Sequence, residues 1–344
     1  FFGFLPSGLA IVAFVVCALF TALTGASGVT IVALGALLLP ALQQGGFSER
    51  FSTGLVTTSG SLGLLFFPSV PLILYGVIAQ QVDVGEGFLI IDLFIAGVVP
   101  LLIMLFLLIS YTLWTHRGVP LPKVPFTISN VKTALSDARW ELPLPFVLFG
   151  GVMSGIFAIS EAAAVSAVYV IIAQVFLYKD IALNELPKIA IKSMMMVGGI
   201  LLILGVALAF TNFMVDSEIP QRLFGFIQTY VKSPLTFLLM LNVLLLLLGA
   251  LLDIFAAIVI MVPILLPVAV GFGIHPVHLG IIFLANMQIG YFTPPVGMNL
   301  FIASYRFKKP LTELYASTLP FFVIMLFALL VITYVPFLSL WAIQ

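Results

Sequence analysis

The sequence predicts an all-α polytopic membrane protein made of two inverted repeats, and three observations predict it. First, 62% of the 344 residues are hydrophobic and 8% charged, with a mean hydropathy of +1.29. So apolar a chain cannot clothe a soluble globule in polar side chains. Second, apolar segments of roughly 20 residues, enough to cross a hydrocarbon core of about 30 Å, recur along the whole chain. Third, the same helix-breaking punctuation occurs twice: Pro40 and Pro267, Ser59 and Asn286, Gly63 and Gly290, and Pro68 and Pro295 each stand 227 positions apart without a gap. Only eight of the 46 positions in 31–76 are identical to their counterparts. The repeat therefore rests on the spacing of its breakers.

In chain order, residues 4–42 read as a long apolar run interrupted by TGASG (Thr24 to Gly28), which predicts a re-entrant hairpin. Residues 51–82 hold SGSLGLLFFPSVP (Ser59 to Pro71), where Gly permits turns and Pro removes donors, which predicts a transmembrane helix broken in its middle. A crossing over 88–114 completes the first repeat, 1–115. His116 to Glu141 is the longest polar connection; Ile128, Val131, Leu135 and Trp140 recur there at helical spacing beside Lys132 and Arg139, as in a helix lying on the bilayer surface. With spans over 142–159 and 161–178 it forms a connecting region, 116–188. The second repeat, 189–344, has a span (189–212), an amphipathic stretch (216–234), a second hairpin (233–271, interrupted at Leu252 to Phe255), a second broken helix (277–305, NMQIGYFTPPVGMN) and a last span (312–341). Because Phe4 to Ala22 aligns with Val231 to Gly249, the first repeat lacks counterparts of the elements preceding hairpin 2. The chain also starts on FFGFLPSGL rather than Met, so it is expected to be truncated at its N-terminus by at least one span.

If both hairpins fold back, five crossings separate the repeats, and an odd number inverts them. Charge agrees. Arg50, Arg117, Lys123, Lys132, Arg139, Lys179, Lys188, Lys192, Arg306, Lys308 and Lys309 fall on one side, and only Arg222 and Lys232 on the other, so eleven of the 13 basic residues share a face. The positive-inside rule makes that face cytoplasmic. Hairpin 1 then enters from the cytoplasm and hairpin 2 from outside. Trp114, Trp140 and Trp341 fall near span ends, where aromatic belts belong.

Backbone polar groups freed by a break cost several kcal/mol each in lipid, so such breaks survive where they line a cavity or coordinate something. A Gly/Pro-interrupted segment at matching places in two halves is the sequence mark of a transporter binding site. Freed carbonyls with adjacent hydroxyls and amides suit a hard monovalent cation. Ser27, Gly28, Ser59 and Gly63 form one candidate shell, and Asp253, Asn286, Gly290 and Thr293 a second. Helix N-termini restarting after the breaks favour a carboxylate, with Ser27, Ser61, Gln288 and Asn299 as candidate contacts. Arg50 and Arg306 are the nearest cations. The competing reading for each small residue is close helix packing. Asp253 sits in LLLLLGALLDIFAAIVIMVP, where a carboxylate costs about 2.5 to 3.5 kcal/mol; it is a cation ligand, a brace for the hairpin tip, or a cap for the returning helix. Glu161 reads as an N-terminal cap between two spans. His275 and His278 have no carboxylate or thiol at ligand spacing, and the single Cys17 reads as a core residue. The chain has no Walker, HExxH, GxSxG or Asp-rich signature, so no enzyme chemistry is expected.

The blocks LPSGLAIVAFVVCALFTALTGASG, ALGALLLPAL, GFSERFSTGLVTTSGSLGLLFFPSVPLILYG, GGVMSGIFAISEAAAVSAVY, IPQRL, ALLDIFAAIVIMVPILLP and NMQIGYFTPPVGMNLFIAS resemble the large membrane subunit of tripartite ATP-independent periplasmic (TRAP) transporters over essentially the whole chain. The resemblance implies an elevator-type carrier in the bacterial cytoplasmic (inner) membrane. It further implies coupling to Na+, a small four-helix membrane subunit as partner, and a soluble periplasmic binding protein that delivers a small-molecule carboxylate. No nucleic acid and no organic cofactor are implied. The family's hairpin tips match Gly25 to Gly28 and Leu252 to Phe255; its unwound helices match Ser59 to Pro68 and Asn286 to Pro295. The two candidate shells then become sodium sites. FFPS (Phe66 to Ser69) departs from the commoner double proline and is expected to soften the first break.

Two other readings compete. A stand-alone sodium/dicarboxylate symporter of the same architectural superfamily would transport without a binding protein. A proton-conducting arm of a larger enzyme needs a chain of intramembrane Lys, Glu or His, whereas Asp253 is the one clear mid-membrane charge.

Overall fold

The computed structural model describes residues 7–82, 85, 87–117, 127–156 and 158–343. Two compact units divide the chain, one over residues 125–205 and a larger one joining 2–124 to 206–344. All the candidate site residues lie in the larger unit.

Helix α1 (Gly8–Thr24) stops at Gly25, whose φ of +66° a side chain would resist and whose N–H returns to Thr21 O. Ala26 is extended, and α2 (Ser27–Gln44) turns back. Ser48 caps α3 (Glu49–Ser59), its Oγ accepting from Phe51 N. After Gly60 the chain tightens into a 3₁₀ turn, Leu62–Leu65, and resumes as α4 (Val70–Gln81) with Pro71 in its first turn. Helix α5 (Ile90–Thr115) starts with Asp92 accepting from Leu89 N.

In the smaller unit, α6 (Ile128–Asp137) takes in Ile128, Val131 and Leu135 of the expected amphipathic set, but Trp140 lies beyond its end. There Pro143 and Pro145 start α7 (Pro143–Met153), and the Trp140 carbonyl accepts from Tyr169 OH at 2.7 Å. Helix α7 has 11 residues, about 16 Å at 1.5 Å per residue, which is half a bilayer core. The full crossing expected over 142–159 is therefore not delivered by this helix, because Gly155 (φ +73°) ends it early. Helix α8 (Ile159–Ile171) follows, with Glu161 accepting from Ala158 N at 2.9 Å as a cap, and then a π-helical turn over Ile172–Leu177. Helix α9 (Leu186–Asp216) is 31 residues long, and the unit boundary at residue 205 falls within it. The unit leaves Phe146, Met195 and Leu202 more than 70% exposed, as an apolar exterior in contact with lipid does.

In the rest of the larger unit, α10 (Ile219–Tyr230) is the expected amphipathic helix. Helices α11 (Pro234–Leu251) and α12 (Ile254–Gly271) are separated only by Leu252 and Asp253. Helix α13 (Pro276–Gly290) breaks after Gly290, and α14 (Met298–Phe307) resumes beyond Pro294 and Pro295. Helix α15 (Leu311–Tyr334) and the short α16 (Phe337–Leu340) end the described chain. Among the described residues, six helical segments are long and apolar enough to cross a membrane.

The core of this unit is its two broken helices. Every residue from Phe51 to Leu65 and from Pro276 to Gly290 is buried. Helix α2 packs on α14, and α12 on α4. The 3₁₀ turn lies against α1 so closely that a Cβ on Gly63 would come 2.0 Å from Ala18 O and 2.4 Å from Ala22 N. At Gly290 a Cβ would come 2.5 Å from Gly249 C and 2.9 Å from Ala250 N. On the side bearing most basic residues, Lys309 Nζ bonds Glu49 Oε1 at 2.8 Å and also Glu313. Burial pulls the Lys309 pKa down, but the two carboxylates outweigh it and hold the ammonium above its usual value.

Gly63→Ala is expected to lower the thermal midpoint of the detergent-solubilised protein by several degrees, since backbone atoms cannot yield and overpacking costs about 1–3 kcal/mol. Gly150→Ala, whose Cβ meets nothing within 4 Å, is the neutral control in the same fluorescence-detected thermal assay.

Candidate functional site

Each hairpin tip sits in the break of its own half. At tip 1, a Cβ on Gly25 would lie 2.9 Å from Val70 Cγ2, which puts the tip at the start of α4. Thr21 and Thr30, one on each arm of hairpin 1, join through their hydroxyls at 2.6 Å. Thr21 Oγ1 also donates to Gly60 O at 2.8 Å, so a carbonyl freed by the first break is answered by a hydroxyl of the hairpin. Ser27 and Gly28 form the first turn of α2, whose N-cap Ala26 makes no side-chain cap bond. Ser59 Oγ donates to Val56 O. Beside them Ser69, the N-cap of α4, has a buried Oγ without a hydrogen-bond partner.

Tip 2 is built differently. Asp253 caps α12, its Oδ2 accepting from Phe255 N at 3.0 Å. Tyr291, one residue past Gly290, donates to Asp253 Oδ1 at 3.3 Å and accepts from Ile254 N at 2.8 Å. Gly297, at φ +57°, donates its N–H to Ala250 O, and Asn299 N bonds Tyr291 O. Thr293 Oγ1 donates to Ile289 O.

The two breaks meet directly. Ser61 Oγ donates to Gln288 O at 2.9 Å, across a sequence separation of 227. Gln288 Nε2 contacts Met104 Sδ on α5, and Asn299 Nδ2 reaches Thr57 O at 3.3 Å. Gln288 Oε1, Asn299 Oδ1, Asn286 Oδ1 and Thr58 Oγ1 are all buried without a hydrogen-bond partner. Three of these are amide oxygens, which act only as acceptors.

The structure thus gathers Ser61, Gln288 and Asn299 about the meeting of the two breaks, and Ser27 and Gly28 at tip 1. Asn286 is not brought to Asp253. Its Nδ2 donates to Asn242 Oδ1 at 2.7 Å and to Ile282 O. Asn242 stands 11 residues before Asp253 on α11, about 16 Å along that helix. Asn242 Nδ2 continues to Thr333 Oγ1, and His278 bonds Ser339 Oγ and Thr333 O, so this histidine serves a buried polar network. His275 caps α13. The guanidinium of Arg50 donates to Ala316 O and that of Arg306 to Val32 O; both are exposed. Thr21, Thr30, Asn242 and Tyr291 are the residues sequence reasoning missed. The first two could have been found by their places on opposite arms of the interrupted run, and Tyr291 by its place inside the second break.

Comparison with known proteins finds relatives along the whole chain. Residues 1–338 match the family described as "Tripartite ATP-independent periplasmic transporter, DctM component". The chain is 39% identical to a "C4-dicarboxylate TRAP transporter large permease protein DctM" of Rhodobacter capsulatus, over 98% of this chain and 79% of that protein. It is 37% identical to the protein of the same description in Pseudomonas aeruginosa, over 98% and 78%. To an "Isethionate TRAP transporter permease protein DctMQ" of Oleidesulfovibrio alaskensis it is 35% identical, over 97% of this chain and 52% of that protein.

Asn242→Ala strips the buried Asn286 amide of its side-chain partner, and Asn286→Ala does the converse. Each should destabilise by about 1–2 kcal/mol, and the double variant should cost little more than either single one. Thermal unfolding in nanodiscs measures this; full additivity would show the two amides to be independent.

Proposed function

Since this chain belongs to the DctM component family of tripartite ATP-independent periplasmic transporters, we propose that it drives sodium-coupled uptake of a small organic acid by an elevator motion. It is a multi-pass protein of the bacterial inner membrane and a transporter permease subunit rather than an enzyme. A periplasmic binding protein supplies the cargo, and a small membrane subunit completes the assembly. Relatives named for C4-dicarboxylate and isethionate transport support an organic anion as cargo.

The inverted-repeat reading is supported by helix boundaries. Helix α2 spans Ser27–Gln44 and α12 spans Ile254–Gly271, both ends displaced by 227. The close approach of Gly63 to Ala22 recurs at the same displacement as Gly290 to Gly249. Ser61 and Gln288, which bond each other, are themselves counterparts, as residues beside a two-fold axis are.

The observation that carries the ion reading is the Asp253 carboxylate, held between the apolar helices α11 and α12 and against Tyr291 of the second break. One sodium ion lies between tip 1 (Ser27, Gly28) and the first break (Ser59 to Gly63). A second lies between Asp253 and the second break (Gly290, Thr293), while Asn286 with Asn242 holds α13 to α11. The substrate acid group meets the α2 N-terminus, with Ser27, Ser61, Gln288 and Asn299 around it. Sodium orders the tips first and thereby lowers the cost of binding the anion.

Uptake into proteoliposomes with both partner proteins should require an inward sodium gradient. Equal uptake in potassium alone would refute the coupling. Asp253→Ala should remove most sodium-dependent uptake; retention of wild-type uptake would leave Asp253 a helix cap only.

A further inference from the structure

The two hairpin tips are held by unlike chemistry. Ile254 N is the first amide of α12, and Phe255 N the second, both among the four donors a helix leaves unpaired at its start. Tyr291 takes the first and Asp253 the second, while the Tyr291 hydroxyl also donates to Asp253. At the corresponding positions, 227 residues earlier, tip 1 has Leu64 in place of Tyr291 and Ala26 in place of Asp253. Neither can make these bonds. Tip 1 is held from its arm, by Thr21 reaching Gly60 O; tip 2 is held from the break, by a residue that belongs to the broken helix. The Tyr291 ring is 2% exposed, so its hydroxyl has no water to replace the pair.

We propose that Tyr291 is a positioning residue that latches hairpin 2, its hydroxyl bridging Ile254 N and Asp253 Oδ1 so that the tip lifts from the second break only when both bonds part. The inference rests on reading α11 and α12 as a gating hairpin. It makes the two gates unequal: tip 2 carries a specific latch with a carboxylate in it, and tip 1 a neutral one. A cation arriving at Asp253 competes with the Tyr291 hydroxyl for Oδ1, so ion occupancy and latch state are linked through one oxygen atom.

Tyr291→Phe removes the hydroxyl and keeps the ring. The test is residue-resolved hydrogen exchange of the full chain in nanodiscs, read at Phe255 and Ala257, whose amides bond Asp253 Oδ2 and Asp253 O rather than Tyr291. The latch predicts about tenfold faster exchange at both, the effect of losing about one net hydrogen bond, with amides inside α13 unchanged. Unchanged exchange at Phe255 and Ala257 overturns it. The isosteric Asp253→Asn gives a second reading, because the two ends of one contact must be non-additive; exchange rates that multiply in the double variant also overturn the latch. Sodium-independent uptake by the wild type with a freed tip in Tyr291→Phe would refute the coupling and leave the latch standing. Sodium-dependent uptake with an unaltered tip would do the reverse.

Discussion

A hydrocarbon interior offers no hydrogen-bond partner to a helix that stops halfway, so each broken segment must find its partners within the protein. Most of the larger unit can be understood as the answer to that requirement. The helices that break are the two that are buried on every side, from Phe51 to Leu65 and from Pro276 to Gly290. Each is flanked by a hairpin whose arm supplies what the break lacks: Thr21 gives a hydroxyl to Gly60 O, and Ala250 gives a carbonyl to Gly297 N. The remaining helices keep this core out of lipid. Small residues at the contacts follow from the same need, because Gly63 and Gly290 admit a neighbouring backbone to within van der Waals distance.

Satisfaction is incomplete at six buried side-chain oxygens among the described residues, those of Thr53 and Ser69 included. Gln288, Asn299, Asn286 and Thr58 keep buried oxygens without partners, and each such atom costs on the order of 1–3 kcal/mol. A protein that otherwise pairs its broken backbone so thoroughly leaves these groups available to a ligand. Three of them, on Gln288, Asn299 and Thr58, lie near the point where the two halves touch through Ser61 and Gln288. The tips add the asymmetry: α2 begins without a side-chain cap, which suits an anion, whereas α12 begins behind a carboxylate, which suits a cation.

Much of this was legible in the sequence. Glycine, proline and small polar residues in clusters mark the tip at Thr24 to Gly28 and the breaks after Ser59 and Gly290, and the lone Asp253 marks the tip at Leu252 to Phe255; Pro40 and Pro267, read as breakers, instead stay inside α2 and α12. Partners could not be read this way. Asn286 stands inside the second break motif and reads as a ligand of the Asp253 shell, yet a helix rotation not visible in spacing turns it toward Asn242. Thr21 and Thr30 read as ordinary polar residues of a membrane helix until the hairpin folds and joins them. Trp140 keeps helical spacing with Leu135, but that helix ends at Asp137 and Pro143 starts another. Helix α7 is shorter than the apolar run that contains it, since hydropathy continues through Gly155 and the helix does not.

The central claim is that sodium completes the two interrupted repeats and orders their tips before any anion binds. Hydrogen exchange of the substrate-free chain in nanodiscs, compared in sodium and in potassium at equal ionic strength, tests it at residues 24–28 and 251–255. The account predicts slower exchange in sodium at both tips, with the interior of α5 unaffected. Identical exchange in the two ions at both tips would contradict it.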